Sequence, residues 1–172
     1  MPKAAILACL CATFGHAAHA ASFNFCWLGA GGYTMTGTIV FPDTLMDRAY
    51  ITEDDVTAFK ITGYLNGAPV GSWNMEEAGP ETTWHLRFAP KILTFPTGGN
   101  FGTLRSQGWN ANGAVSDCGT PGFGFNAANG AQDVCVNGTF VRDSSIDRNT
   151  PFIATTAPVT ADCRQSTPLS KR

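Results

Sequence analysis

The chain has 172 residues, 44% of them hydrophobic and 14% charged, with a formal net charge of −2. That length fits one domain able to bury a core of its own. The charges are scattered and form no basic patch to hold phosphates, which argues against a nucleic-acid partner.

Residues 1–20 stand apart from the rest. Lys3 opens them, residues 4–14 are almost wholly apolar, and Ala18-His19-Ala20 puts small residues at the two positions a signal peptidase reads. They are read as a secretory signal peptide cut before Ala21, and the protein as exported, periplasmic or extracellular. Cys9 and Cys11 raise a lipoprotein alternative, but a cut there leaves too little apolar sequence ahead of the cysteine. Neither this run nor any later one approaches the roughly 20 residues that span a bilayer, so no membrane span is expected. Of the 11 Lys and Arg, Lys3 leaves with the signal, so the mature chain is the more acidic against its 13 Asp and Glu.

Export also changes how the cysteines read. Of six, Cys9 and Cys11 are removed, and Cys26, Cys118, Cys135 and Cys163 remain, an even number in an oxidising compartment. Four cysteines allow three pairings. The favoured one joins Cys118 to Cys135, closing a local Gly-rich loop, and Cys26 to Cys163, tying the two ends of the mature chain. A zinc site is the rival reading, but no C-x-x-C spacing occurs and His85 is the only mature histidine.

In chain order, residues 22–28 (SFNFCWL) alternate, placing Phe23, Phe25 and Trp27 on one face of a strand. Residues 33–41 (YTMTGTIVF) repeat the pattern, with Thr34, Thr36 and Thr38 on the other face, as suits an antiparallel sheet with one side wet. Thr52 followed by Asp55 reads as the N-cap of a single helical turn. Residues 59–65 and 70–75 form strands on either side of Asn66-Gly67, whose tolerance of positive φ signals a tight hairpin. Residues 83–88, 91–95 and 101–106 read as further short strands. Residues 106–138 (SQGWNANGAVSDCGTPGFGFNAANGAQDVCVNG) are dense in Gly and Asn and read as turns and hairpins between the Cys118 and Cys135 ends. Residues 134–142 resume as a strand. From Asp143 onward polar, Pro-containing sequence dominates.

Short segments with turns every 8–12 residues, and no useful amphipathic helix, indicate an all-β protein. The expected architecture is an antiparallel β-sandwich or flattened barrel with one short helical turn and a long Gly/Asn-rich, disulfide-pinned loop. It occupies 21–163, with 164–172 as a disordered tail.

Candidate chemistry is sparse. His85 lies mid-strand opposite Trp84, Leu86 and Phe88, which places it towards solvent, and neither a G-x-S-x-G elbow nor an H-E-x-x-H motif is present. Glu76, Glu77 and Glu81 cluster about Gly79-Pro80; a glycosidase needs two carboxyls facing across a cleft, whereas a loop tip needs none. Asn110, Asn112 and Asp117, with Asn126, Asn129 and Asp133, carry oxygens of the kind calcium takes, but no EF-hand spacing joins them. No metal or cofactor is assigned. Trp109, Phe123 and Phe125 lie among Asn110, Asn112 and Asn126, and two readings are open. Exposed rings beside amides form sugar-binding surfaces; buried ones fill the core beneath the loop. Asn137-Gly138-Thr139 matches an N-glycosylation sequon.

The run YTMTGTIVFPD, then AYITEDDVTAF and the ITGYLNG hairpin, resembles exported bacterial β-domain proteins of uncharacterised function, some of which carry a PEP-CTERM sorting tail. The resemblance spans roughly Tyr33 to Trp73. It implies a bacterial exported β-domain and brings no activity or site residues; the apolar sorting tail is lacking here. The expected function is a secreted, non-catalytic binding or structural module whose partner is a polysaccharide or an envelope protein. The alternative is a secreted hydrolase using carboxylates such as Glu76, Glu81 or Asp117.

Overall fold

The computed structural model describes residues 19–112 and 118–164. The expected signal segment up to residue 18 and the expected tail from 165 lie outside them. The described strands are β1 (Ala20–Leu28), β2 (Tyr33–Pro42), β3 (Ile51–Thr52), β4 (Ala58–Leu65), β5 (Ala68–Asn74), β6 (Trp84–His85) and β7 (Arg87–Phe88). They continue with β8 (Thr94–Phe95), β9 (Gln107–Trp109), β10 (Phe123–Ala128), β11 (Ala131–Val136), β12 (Thr139–Asp147) and β13 (Phe152–Thr155).

Two antiparallel sheets pack face to face, one of six strands in the order β5-β4-β2-β1-β13-β8 and one of five in the order β12-β11-β10-β9-β6; β3 and β7 pair separately. The two-residue period of β1 and β2 does what it predicts. Phe23, Phe25, Trp27, Met35, Ile39 and Phe41 are all buried between the sheets. At the β4–β5 hairpin, Asn66 and Gly67 take φ of 51° and 82°, the left-handed pair such a turn requires. The helical elements are 3-10 turns, and in one of them the Thr52 backbone N–H donates to Asp55 Oδ2 at 2.9 Å. No helix among the described residues is long and apolar enough to cross a membrane.

Both disulfides form as expected, Cys26 to Cys163 with Cα atoms 5.3 Å apart and Cys118 to Cys135 at 6.0 Å. Paired sulfurs of this kind belong to an oxidising, extracytoplasmic environment. The first closes a strap. Residues 157–163 cross the outer face of the six-stranded sheet, where the Asn24 amide donates to Ala157 O at 3.2 Å and the Thr34 hydroxyl to Ala161 O.

Five expectations are corrected. Residues 83–88 are not one strand: β6 joins the five-stranded sheet while β7 pairs with β3. The break arises because side chains take the ladder bonds, Glu53 Oε2 accepting from Leu86 N–H at 3.0 Å and Gln107 Oε1 from Arg87 N–H at 3.0 Å. Pro90 starts a 3-10 turn to Ile92, leaving only Thr94–Phe95 of the expected 91–95 strand. Residues 101–105 are turns, and strand begins at Gln107. The Gly/Asn stretch forms the expected hairpin, β10 and β11 about Asn129-Gly130, but it is not one long loop, since it also supplies β9 to the same sheet; residues 113–117 lie outside the description. Sequence past Asp143 also yields more than a polar tail, since β12 runs to Asp147 and β13 pairs with β1, burying Phe152 and Ala154.

The two sheets share a polar tie as well as rings. Trp27 Nε1 on β1 donates to Gln132 Oε1 on β11 at 3.0 Å, and the Gln132 amide donates in turn to Thr150 O at 2.6 Å. Each polar atom taken from water thereby regains a partner.

Candidate functional site

Trp109, Phe123 and Phe125 are each 0% exposed. Trp109 is a hub of the core, its ring centroid 4.8 Å from Phe59, 5.0 Å from Phe125 and 5.2 Å from Phe95. Of the two readings of these rings, filling the core is the one realised, and a stacking surface made of them has no open face. Strand alternation turns them inward. Asn110, in left-handed backbone at φ 52°, donates its amide to Cys118 O at 3.1 Å and Phe123 O at 3.0 Å, so it braces the chain crossing. Asn112 is half-buried beside it.

The carboxylate candidates do not converge. Glu76, Glu77 and Glu81 are exposed, with Glu77 taking a hydrogen bond from the Asn74 amide; Asp117 lies outside the described residues. Of the suggested calcium oxygens, Asn126, Asn129 and Asp133 line one depression while Asn110 braces the chain apart from them, and Asn129 Oδ1 is already taken by Phe101 N–H at 3.1 Å. Among the described residues no group of three or more His, Cys, Asp or Glu is placed to hold a metal.

What does converge lies on the outer face of the five-stranded sheet. Because Trp109, Phe125 and Val134 point into the core, their neighbours Gly108, Asn126 and Asp133 point out. The register sets them in a row: His85 opposite Gly108, Gly108 opposite Asn126, Asn126 opposite Asp133. At the far end of the row the ladder fails. Val134 pairs with Val141 but Gln132 pairs with Ile146, so residues 142–145 bulge away opposite Asp133. Ser144 fills the gap, its hydroxyl accepting from Val134 N–H at 3.1 Å while its carbonyl accepts from Ala30 N–H at 3.0 Å. The bulge opens a depression of about 310 Å³, lined by Asn126, Asn129, Asp133, Phe140, Arg142 and Ser145.

Its floor is electrostatically unsettled. Asp133 is 4% exposed, and burial pushes its carboxyl up to about 6, although the hydrogen bond from the Asn126 amide, at 3.2 Å, pulls the other way. Asn126 Oδ1 is buried with no hydrogen-bond partner. Arg142 stands exposed at the rim. On the opposite side the 98–105 loop is fastened down by Asn129, whose N–H donates to Gly99 O at 3.0 Å. It carries Phe101 over Gly108, close enough that a Cβ there would stand 2.8 Å from the ring. Phe101 is nevertheless 44% exposed, its ring towards the His85 imidazole at 5.6 Å between centroids.

The sequence groups Asn126, Asn129 and Asp133 as oxygen donors and names Asn126 as a ligand-binding candidate, without pairing Asn126 with Asp133. Their juxtaposition was there to be found, because a two-residue Asn129-Gly130 turn sets Ala128 opposite Ala131 and therefore Asn126 opposite Asp133.

His85 corrects a further expectation: it is buried, because the 98–105 loop folds over the face that alternation leaves open. Its Nε2 lies 3.0 Å from Ser106 Oγ, and Nδ1 lies 3.9 Å from Glu53 Oε1. Serine, histidine and acid thus follow the order of a hydrolase triad, but not its working geometry. Ser106 is 0% exposed and donates its hydroxyl to Thr103 O at 3.0 Å; Glu53 is too far to orient the imidazole and serves Arg87 and Leu86 N–H instead. These residues clip the loop to the sheet.

No family model, curated protein or solved structure matches this chain.

Proposed function

We propose that this is an exported, non-catalytic binding module of a bacterial envelope or its surroundings, with the outer face of the five-stranded sheet as its working surface. The observation that carries the reading is the hollow at Asp133, where a carboxylate lines an open site beside a buried, unpartnered amide oxygen. Proteins hold such groups away from water at a cost in stability, and ligand sites are where that cost recurs. The disulfides support export, and the run from Tyr33 to Trp73 supports a bacterial exported β-domain.

A hydrolase is less well supported. Glycoside hydrolysis takes two carboxyls across one cleft, and Asp133 is the only carboxylate among the residues lining the hollow. The Ser106 hydroxyl is closed to substrate.

The test is to incubate the oxidised protein with polysaccharide and protein fractions of bacterial envelopes, recover what it retains, and assay the polysaccharide for cleavage. Retention without cleavage is expected. Failure to retain either fraction, or turnover of the polysaccharide, overturns the proposal.

A further inference from the structure

Resting on the binding-module reading, we infer that the hollow beside Asp133 takes one residue of a neutral sugar, with adjacent hydroxyls on Asp133 and Arg142 and an apolar ring face against Phe101.

The chemistry of the lining narrows the ligand class. The floor offers the Asp133 carboxylate as an acceptor, with the Asn126 carbonyl buried and unpartnered beside it, so the ligand must bring donors. The rim offers the Arg142 guanidinium, which carries donors only, so the same ligand must also accept. A pair of neighbouring hydroxyls does both. A bare cation satisfies the floor but wants six to eight oxygens, and here one carboxylate stands alone. An anion meets the Arg142 charge but is repelled by Asp133. A wholly apolar group leaves the Asn126 carbonyl without a partner and adds nothing to the single hydrogen bond Asp133 takes from the Asn126 amide.

Phe101 adds an apolar surface. What sets this ring apart from the other exposed apolar side chains is its place: it lies over Gly108 in the row that leads to Asn126, with its backbone N–H held by Asn129 at the edge of the hollow. A flat apolar surface beside converging polar groups suits the C–H face of a pyranose. A hollow of about 310 Å³ is at the small end of ligand sites, which fits one ring of a longer chain rather than an extended segment. When a hydroxyl displaces the Asn126 amide from Asp133, that amide is free to turn and give its carbonyl a donor too.

A pH signature follows. Hydroxyl donors favour the ionised carboxyl, and the only other charged side chain lining the hollow is Arg142, which stays charged; Asn126, Asn129 and Ser145 are neutral. Affinity should therefore fall roughly tenfold between pH 7 and pH 5 as Asp133 takes up a proton near 6.

The full oxidised chain is titrated calorimetrically with a panel of neutral and uronic-acid-bearing oligosaccharides, beside Asp133→Asn, Phe101→Ala and, as a control, the exposed Glu81→Gln. Binding of a neutral member that weakens at least tenfold in D133N and in F101A, with melting temperatures no lower than wild type in D133N and binding intact in E81Q, supports the inference. Envelope retention untouched by D133N and F101A overturns this site while leaving the binding-module reading standing. Preference for the uronic-acid members overturns the neutral-sugar assignment, and no binding to any sugar or envelope fraction overturns both.

Discussion

Asn126 and Asp133 face one another across the β10–β11 hairpin, amide nitrogen 3.2 Å from carboxylate oxygen, on the side of the sheet away from the core. One hydrogen bond is little compensation for a carboxylate taken so far from water, and the bulge in β12 leaves it without a strand partner's cover. The pair is therefore a local weakness of the fold.

Replacing Asp133 by Asn should stabilise the protein at neutral pH. Folding raises this carboxyl from about 4, its unfolded value, to about 6. The folded state thus holds the proton more tightly than the unfolded chain, a contribution complete below pH 4 and lost as pH rises through 6. Allowing for solvent at the mouth of the hollow, D133N should gain on the order of 1–2 kcal/mol at pH 7.5 and nothing at pH 3.5. Urea denaturation of both proteins at the two pH values measures it; equal midpoints at pH 7.5 would refute it.

The two disulfides should differ in worth. Cys26–Cys163 spans 137 residues and Cys118–Cys135 spans 17, so loop-closure entropy alone assigns them about 5 and about 3 kcal/mol respectively. Paired Cys→Ala variants compared by guanidinium unfolding should rank in that order. A larger loss at Cys118–Cys135 would mean that this bridge acts on the native state, through Asn110 and the β10 crossing.

Ser106 should be inert. With its oxygen shut beneath the 98–105 loop and its hydroxyl given to Thr103 O, a fluorophosphonate probe should not label it under native conditions. Ser106→Ala should cost about 1 kcal/mol of stability, the worth of an ordinary hydrogen bond. Stoichiometric labelling that vanishes in S106A would instead revive a hydrolase.

Gly63→Ala tests how tightly the sheets meet. A Cβ at Gly63 would stand 1.9 Å from Cε2 of Phe123, and that ring is wholly enclosed. Overpacking of this kind costs roughly 1–3 kcal/mol, visible as a lower melting temperature. Pairing G63A with Phe123→Leu should recover part of the loss, and no recovery would place the strain elsewhere.

The strands with clean alternation were legible from residue order. Phe23-x-Phe25-x-Trp27 and Tyr33-x-Met35-x-Gly37-x-Ile39 each declare one apolar face, and Asn66-Gly67 declares its own turn. Residues 83–88 alternate just as well, yet they are split between two sheets. Their backbone bonds are claimed by Glu53 and Gln107, which are 33 and 20 residues away in sequence.

Residue order by itself determined an all-β body and which sulfurs should pair, because strand period and turn chemistry act over a few residues and cysteine pairing was narrowed by count. Which rings are buried, that His85 is covered, and that Asp133 meets Asn126 beside a gap in β12 were decided by tertiary structure alone. Each depends on what a distant loop or bulge lays across an otherwise open face, and burial is a property of that covering rather than of the residue covered.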